Sequence, residues 1–256
     1  MNTILLIILF LLLIYVSGKH GIKLFLSLIC NFLILISSFY LIVLGFNPIV
    51  ISLLTCFVIS RIVLYKVNGT NIKTKCSMKS ILVVLGILTI LIYFMVKLSR
   101  IGGFGYEEYE EINMFSYDIG IDYTRITIGL IIIGLIGATI DSSMAISSAL
   151  YEVKENNKHL KFKELFDSGL NIGKDILGTT MSTLLFAFIG EFMTLLIWFK
   201  KGNYSLGDIV NAKTFASEFI KIMFSAIGCI LVIPITSYIT SKELDKKNKG
   251  DYENEL

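Results

Sequence analysis

The chain alternates long apolar stretches with short charged segments. Seven apolar stretches run over residues 3–17, 22–45, 48–66, 79–98, 125–150, 176–199 and 216–240. A helix that crosses a bilayer needs about 20 apolar residues, and only the first stretch falls clearly short of that. The pattern predicts an all-α, polytopic membrane bundle with about seven transmembrane helices, or six if the first stretch is a signal peptide that is removed.

The positions of the basic residues predict the orientation of this bundle. With the C-terminus in the cytoplasm, 16 of the 23 Lys and Arg residues fall on the cytoplasmic side, as the positive-inside rule requires. The N-terminus is then outside. We expect the first stretch to be retained, because no Lys or Arg precedes it and VSGKHG is a poor cleavage site. Its removal would leave the orientation of the other six unchanged.

Three polar segments lie outside the predicted spans. Residues 151–175 are amphipathic and are predicted to lie along the cytoplasmic membrane surface. Residues 99–125 are glycine-rich and acidic, which is typical of a solvated outer loop or of a weak vestibule that attracts cations. Residues 241–256 are predicted to form a polar, disordered cytoplasmic tail.

Composition narrows the possible functions. The chain is 55% hydrophobic and 17% charged, with a net charge of +3, so nothing in it favours nucleic-acid binding. Its four Cys form no CxxC pair, and its two His lie in charged segments, so no metal site and no cofactor is predicted. The motifs of intramembrane hydrolases are absent, so the protein is not expected to be an enzyme. A lipid bilayer is the one partner that composition alone predicts.

One carboxylate, Asp141, lies inside the fifth apolar stretch. It belongs to a helical stripe of small residues, namely Gly134, Gly137, Ala138, Ala145 and Ser148. At 1.5 Å per residue, Asp141 lies about 16 Å from the inner boundary at Glu152, near the middle of the bilayer. Ionisable residues at such depths usually mark proton or ion pathways. Asp141 is therefore the predicted proton or cation site, and a structural carboxylate that bonds to a Ser or Thr is the alternative.

The sixth stretch carries a similar stripe. Its small and hydroxyl residues include Thr179, Thr180, Ser182 and Thr183, and its second candidate carboxylate is Glu191, about 14 Å from the outer boundary. Small residues let helices approach closely, so the two stripes are predicted to pack together and to line a pathway. Glu152, Glu155, Lys174 and Asp175 are candidates for a cytoplasmic gate, or are simply charged groups in water.

Several segments resemble the YibE/F-like membrane proteins of bacteria. The resemblance rests on GATIDSSMAISSALYEVKEN, LFDSGLNIGKDILGTTMSTLLFAFIG and AIGCILVIPIT, and on GFNP and NGTNIKTK nearer the N-terminus. It covers nearly the whole chain and fits the shorter, YibF-type member. Ser182 stands where the family more often has Asn. The resemblance implies a multi-pass protein of the bacterial cytoplasmic membrane that works with a YibE-like relative or as a homo-oligomer.

A looser resemblance concerns mechanism. Gly137, Asp141, Glu152 and Glu155, followed by Thr179 and Thr180, are similar in order to the proton-relay region of SecD/SecF and RND-type permeases. The leading hypothesis is therefore a proton- or ion-coupled transport component with Asp141 as the carrier and an unknown ligand. The alternative is a partner or scaffold subunit that transports nothing and stabilises another membrane protein, such as a YibE-like relative.

Overall fold

The computed structural model describes residues 2–103 and 122–253, and side chains within 3–103 and 122–246. Within these ranges the chain is helical and contains no strand. The helices are α1 (Asn2–Ser17), α2 (Lys19–Val43), α3 (Pro48–Arg61, continued by a π-helical segment Ile62–Val67), α4 (Ile72–Ser99), α5 (Tyr123–Asn156), α6 (Phe162–Lys201), α7 (Leu206–Asn211) and α8 (Lys213–Glu253). Most of the predicted acidic outer loop lies outside the described residues.

Six of the described helices are long and apolar enough to cross a membrane, namely α2, α3 with its π-helical continuation, α4, α5, α6 and α8. Helix α1 is apolar but has only 16 residues, so it is about 24 Å long. It folds back against α2 at Gly18, whose positive φ of 55° suits glycine. The Phe10 and Phe25 rings, 4.7 Å apart, join the two helices. The predicted all-α, polytopic bundle is confirmed.

Helix α5 is the centre of the bundle and packs against α3, α4, α6 and α8. The α3–α5 contact is close, because a Cβ on Gly129 of α5 would lie 2.5 Å from Ser52 Oγ. Helices α4 and α5 are joined by a hydrogen bond of 2.6 Å between the Ser77 and Ser147 hydroxyls. These contacts fix the position of each helix along the bundle axis relative to its neighbours.

Helix α6 lies at the edge of the bundle and packs mainly along α8. Near one end, a Cβ on Gly173 would clash with the Ile233 side chain. Towards the other end, the Phe192 and Phe215 rings lie 4.8 Å apart. The two helices are therefore antiparallel and in contact at both ends, while most of the α6 surface remains exposed.

Helices α5, α6 and α8 extend beyond the level at which the spans carry lysines. The end of the bundle that carries Lys66, Lys79 and Lys174 is called the lysine-rich end, and it is the end predicted to be cytoplasmic. The parts of α5, α6 and α8 that continue beyond these lysines are called the extension. The extension has its own apolar cluster, which includes Leu150, Leu165 and Leu244. Basic side chains mark the edge of the hydrocarbon region, so this cluster lies beyond that edge.

Two sequence predictions change at this extension. Residues 151–175 form no separate surface helix: residues 151–156 end α5, and residues 162–175 begin α6. Lys154 closes the turn between them, because its Nζ donates to the carbonyls of Lys158 and Leu160 at 2.9 and 2.6 Å. The tail predicted to be disordered is helical as far as Glu253. The amphipathic pattern reflects packing within this extension, where Leu244 is buried.

Candidate functional site

The depth of Asp141 follows from the helices around it. The helix contacts fix how far each lysine lies from Asp141 along the bundle axis. Along that axis, Lys66 after α3, Lys79 of α4 and Lys174 of α6 lie within about four residues, or roughly 6 Å, of Asp141. Lysines at the ends of spans direct their ammonium groups to the water interface. Asp141 therefore lies close to the lysine-rich boundary of the apolar region.

This corrects the depth expected from sequence. The expected 16 Å assumed that the membrane boundary lies at Glu152, but α5 continues as a helix beyond the membrane level to Asn156. Glu152 is in the extension, where its carboxylate lies 3.4 Å from Lys73 Nζ. Asp141 is consequently a carboxylate at the edge of the hydrocarbon region and not at its centre.

The Asp141 side chain is exposed on the surface of the chain. It makes no hydrogen bond and no ion pair with any residue that the structure describes. The alternative in which a Ser or Thr hydroxyl holds this carboxylate is therefore not observed. An unpaired carboxylate close to water can accept and release a proton or a cation, whereas one sealed against hydroxyls could not do so readily.

The stripe around Asp141 is also exposed. Gly134, Gly137 and Ala145 are exposed, and Ala138 and Ser148 are half-buried. A Cβ on Gly137 would meet nothing within 4 Å. The small residues of this stripe therefore do not pack against α6, and the close pairing predicted between the two stripes is wrong.

The stripe of small and hydroxyl residues on α6 likewise does not pack against the stripe on α5. Thr179, Ser182 and Thr183 are exposed and Thr180 is half-buried. The hydroxyls of Thr179, Ser182 and Thr183 donate only to carbonyls of their own helix, at 2.9 to 3.0 Å. Glu191 is exposed and lies about 20 Å from Asp141 along the helix axes, so the structure does not bring these two carboxylates together.

The four gate candidates do not form a cluster. Glu152 pairs with Lys73, and Glu155 lies beside the Tyr151 hydroxyl. Lys174 Nζ donates to Asn171 Oδ1 at 3.4 Å on its own helix, and Asp175 is exposed. In the described part of the chain they are separate surface charges on the extension and at its edge.

An ion pair that was not predicted from the sequence lies inside the seventh apolar stretch. Lys221 Nζ of α8 donates to Glu218 Oε1 and Oε2 at 2.6 and 2.8 Å. Both side chains are about one-third exposed. The signal was present as the spacing Glu-x-x-Lys, which puts opposite charges on one face of a helix.

This ion pair flanks the same stripe as Asp141. A Cβ on Gly134 would lie 3.4 Å from Lys221 Cγ. Gly134 is about 10 Å farther from the lysine-rich end than Asp141. Along the bundle axis, Gly134 lies at the same height as the middle of α4, about midway between Lys79 and Lys97. A carboxylate near one boundary and an ion pair near mid-span thus follow one another along a single exposed side of α5.

No group of three or more His, Cys, Asp or Glu residues within the described ranges could hold a metal ion. The candidate site is a line of ionisable side chains, Asp141 followed by Lys221 and Glu218, beside glycine and alanine. Such groups are expensive to bury in hydrocarbon and are usually functional.

Comparison with known proteins supports one assignment. No curated protein and no solved structure matches the chain. The comparisons do not bear on the looser likeness to SecD/SecF and RND-type permeases. The family model described as YibE/F-like protein matches residues 5–246, which is almost the whole chain. The protein is an integral, multi-pass membrane protein and belongs to the YibE/F-like family.

Proposed function

We propose that this protein is a proton- or ion-coupled transport component of the bacterial cytoplasmic membrane, with Asp141 as the carrier of the proton or cation. The observation that carries the proposal is the alignment of Asp141 with the Glu218–Lys221 pair along one side of α5. Asp141 exchanges with water at the lysine-rich end, which is the cytoplasmic end. The ion pair is the next polar group towards the opposite end.

Each group has a distinct task in this proposal. Asp141 is unpaired, so its charge changes when it takes up a proton or a cation, without a bond to another described side chain being broken. Glu218 holds Lys221 near mid-span, and the Lys221 ammonium repels a second cation there. The pair therefore acts as an electrostatic barrier, and a shift of Glu218 away from Lys221 would lower the barrier for a proton. Glu191 is farther out on α6 and is not part of this line.

Proton flux into vesicles tests the role of Asp141. The full chain is reconstituted into vesicles that contain a pH-sensitive dye, and a proton gradient is imposed together with a K⁺ diffusion potential. We expect a flux above that of empty vesicles. Asp141→Asn should reduce it at least about tenfold, because the amide cannot carry the charge, and Asp141→Glu should retain much of it.

Asp175→Asn is the matched control. Asp175 is also an exposed aspartate close to the same level, but it lies on α6 and away from the Asp141 line. It should leave the flux unchanged. Equal fluxes from the wild-type chain and from Asp141→Asn, with both proteins folded and inserted, would remove the carrier role.

A second candidate function is that of a partner subunit, and the exposed α6 stripe favours it. Thr179, Ser182 and Thr183 face outward on a helix whose apolar span is only 11% buried. Gly178 and Gly190 have open space where a Cβ would be. Small and hydroxyl residues are typical of surfaces on which another transmembrane helix packs. In this role a YibE-like relative or a second copy covers α6.

Photo-crosslinking in the native membrane distinguishes the two roles. A crosslinking residue at position 182 should give one discrete product if another protein covers the stripe. The same residue in place of Val83, an exposed apolar position on α4, should react only with lipid. If position 182 also yields no protein adduct, the partner role has lost the observation that favours it.

A further inference from the structure

A cavity of about 570 Å³ opens at the end of the bundle opposite the lysine-rich end. It lies between the start of α3, the end of α4 and the start of α5. Its volume is within the range of small-molecule sites and exceeds that of a single inorganic oxyanion. None of its lining residues belongs to the line formed by Asp141, Lys221 and Glu218.

The lining of this cavity is strongly basic. Lys97, Arg100 and Arg125 line it together with one described carboxylate, Asp122. Asp122 is already used, because its Oδ2 lies 2.9 Å from Arg125 Nε and its Oδ1 accepts the Arg125 backbone N–H at 3.2 Å. Within residues 3–103 and 122–246, Lys97 and Arg100 therefore have no carboxylate as a counter-ion.

The backbone adds to the positive potential. Helices α3 and α5 both begin at this cavity, with Asn47 and Asp122 as their N-caps. The N-terminus of a helix carries a partial positive charge, and two of them meet here against the single C-terminus of α4. The dipoles alone would define no site, but they act in the same direction as the cations of Lys97, Arg100 and Arg125.

Arg100 occupies a position where glycine would be expected. It ends α4 in the left-handed conformation, with φ 52° and ψ 31°. This conformation is unfavourable for a residue with a Cβ, because the Cβ comes too close to the following carbonyl oxygen. Gly102 and Gly103 lie two and three residues farther along the chain, so glycine occurs close to this position but not at it. Backbone strain of this kind is common at functional sites, and here it belongs to an arginine that lines the cavity.

We propose that this cavity binds a phosphate-bearing ligand, with Lys97 and Arg100 as the groups that contact the phosphate. The fully buried side chains of Val96 and Ile128 supply an apolar wall beside the cations. Tyr93 holds Lys97 in place, with Nζ 4.6 Å from the ring centroid. Two sources present this chemistry: the headgroup of an anionic phospholipid, and a free phosphorylated solute.

The test uses the full chain and three probes, two soluble phosphates and one phospholipid. Inorganic phosphate and glycerol 3-phosphate are titrated calorimetrically into the protein in uncharged detergent. Retained phosphatidylglycerol is counted by native mass spectrometry, with phosphatidylcholine as competitor. Binding of the lipid alone assigns a headgroup site, and binding of the soluble phosphates as well assigns a general phosphate site. Both outcomes support the proposal.

Paired variants make the test specific. The double variant Lys97→Gln/Arg100→Asn should weaken binding at least about tenfold, because each lost charge-assisted hydrogen bond is worth about 1.5–3 kcal/mol. Asn tolerates the left-handed conformation, so this variant should still fold. Lys200→Gln/Lys201→Gln removes two exposed lysines from the same end, outside the cavity, and should change binding less than about twofold.

Two results would overturn the proposal. One is equal weakening by the two double variants, which would mean non-specific attraction by surface charge. The other is no binding of phosphate, glycerol 3-phosphate or phosphatidylglycerol by the wild-type chain. Proton flux through the Asp141 line is a separate measurement and does not depend on either result.

Discussion

Helix α5 has two faces that both carry small residues, and only one of them packs inside the bundle. The packed face includes Gly129, Thr139 and Ser147, all buried against α3, α4 or α8. The open face carries Gly134, Gly137 and Asp141, all exposed. A small residue therefore permits close packing but does not by itself identify the face that packs.

The polar groups explain the difference between the two faces. On the packed face, two of the buried hydroxyls have partners within the chain: Thr139 Oγ1 donates to the Leu135 carbonyl at 2.8 Å, and Ser147 bonds to Ser77. Such groups can be buried at little cost. The buried Ser143 hydroxyl has no partner among the described residues. A carboxylate on the open face has no comparable local partner, because an ionised carboxylate cannot donate to the carbonyls of its own helix. Burial of that face inside the chain would leave an unpaired charge, so the face stays at the surface.

The largest difference in the free energy of unfolding is expected between substitutions at two glycines of α6. Gly173 packs directly against Ile233, whereas nothing lies within 4 Å of a Cβ on Gly178. Gly173→Leu should lower the free energy of unfolding by about 2 kcal/mol or more, because the added side chain forces α6 away from α8. Gly178→Leu should leave it within about 0.5 kcal/mol. Unfolding in mixed micelles measures both, and similar losses would contradict the packing of α6.

The depth of the open face can be measured by thiol labelling. Ala145→Cys lies near the lysine level, and Gly134→Cys lies near mid-span, on the same exposed side. A membrane-impermeant maleimide should label position 145 at least about tenfold faster in bilayer discs, because position 134 is about 16 Å farther from the lysine-rich end. Ser147→Cys, which is buried, is the unreactive control.

The labelling needs one change in the background. Cys56, Cys76 and Cys229 are buried, whereas Cys30 is partly exposed, so Cys30→Ser should precede the three substitutions. Equal labelling of positions 145 and 134 would mean that the boundary inferred from the lysines is wrong. It would also mean that Asp141 is not the group nearest to water.

Much of the fold could be predicted from hydropathy, because the cost of leaving backbone amides unpaired in lipid makes every long apolar stretch a helix. The extension of α5, α6 and α8 could not be predicted in this way. Hydropathy reports the part of a helix that lies in lipid, and the polar continuation from Glu152 to Asn156 looks like a loop. The wrong depth of Asp141 followed directly from that limit.

The candidate site was only partly predictable. Asp141 stands out because a lone carboxylate in an apolar stretch is rare. Glu218 and Lys221 were overlooked because they lie near the start of a stretch, where charges usually belong to the water interface. The contact between Gly134 and Lys221 shows that Lys221 lies beside the middle of α5, so the pair lies near mid-span. Relative helix positions of this kind depend on tertiary contacts, which one sequence does not display.

The smallest expected effect concerns an ion pair on the lysine-rich extension. Lys79 Nζ lies 2.5 Å from Glu243 Oε1 and joins α4 to α8, but the side chains are 58% and 40% exposed. Exposed pairs typically contribute about 0.2–1 kcal/mol, so a double-mutant cycle with Lys79→Gln and Glu243→Gln should give a coupling energy in that range. At about 1 M salt, where the Debye length is about 3 Å, most of this coupling should be lost. A salt-resistant coupling above about 2 kcal/mol would mean that the extension is held by charge and not by its apolar cluster.

Leu244→Ala is the comparison, because this buried leucine belongs to that cluster. Its truncation should lower the free energy of unfolding by about 2–5 kcal/mol at any salt concentration.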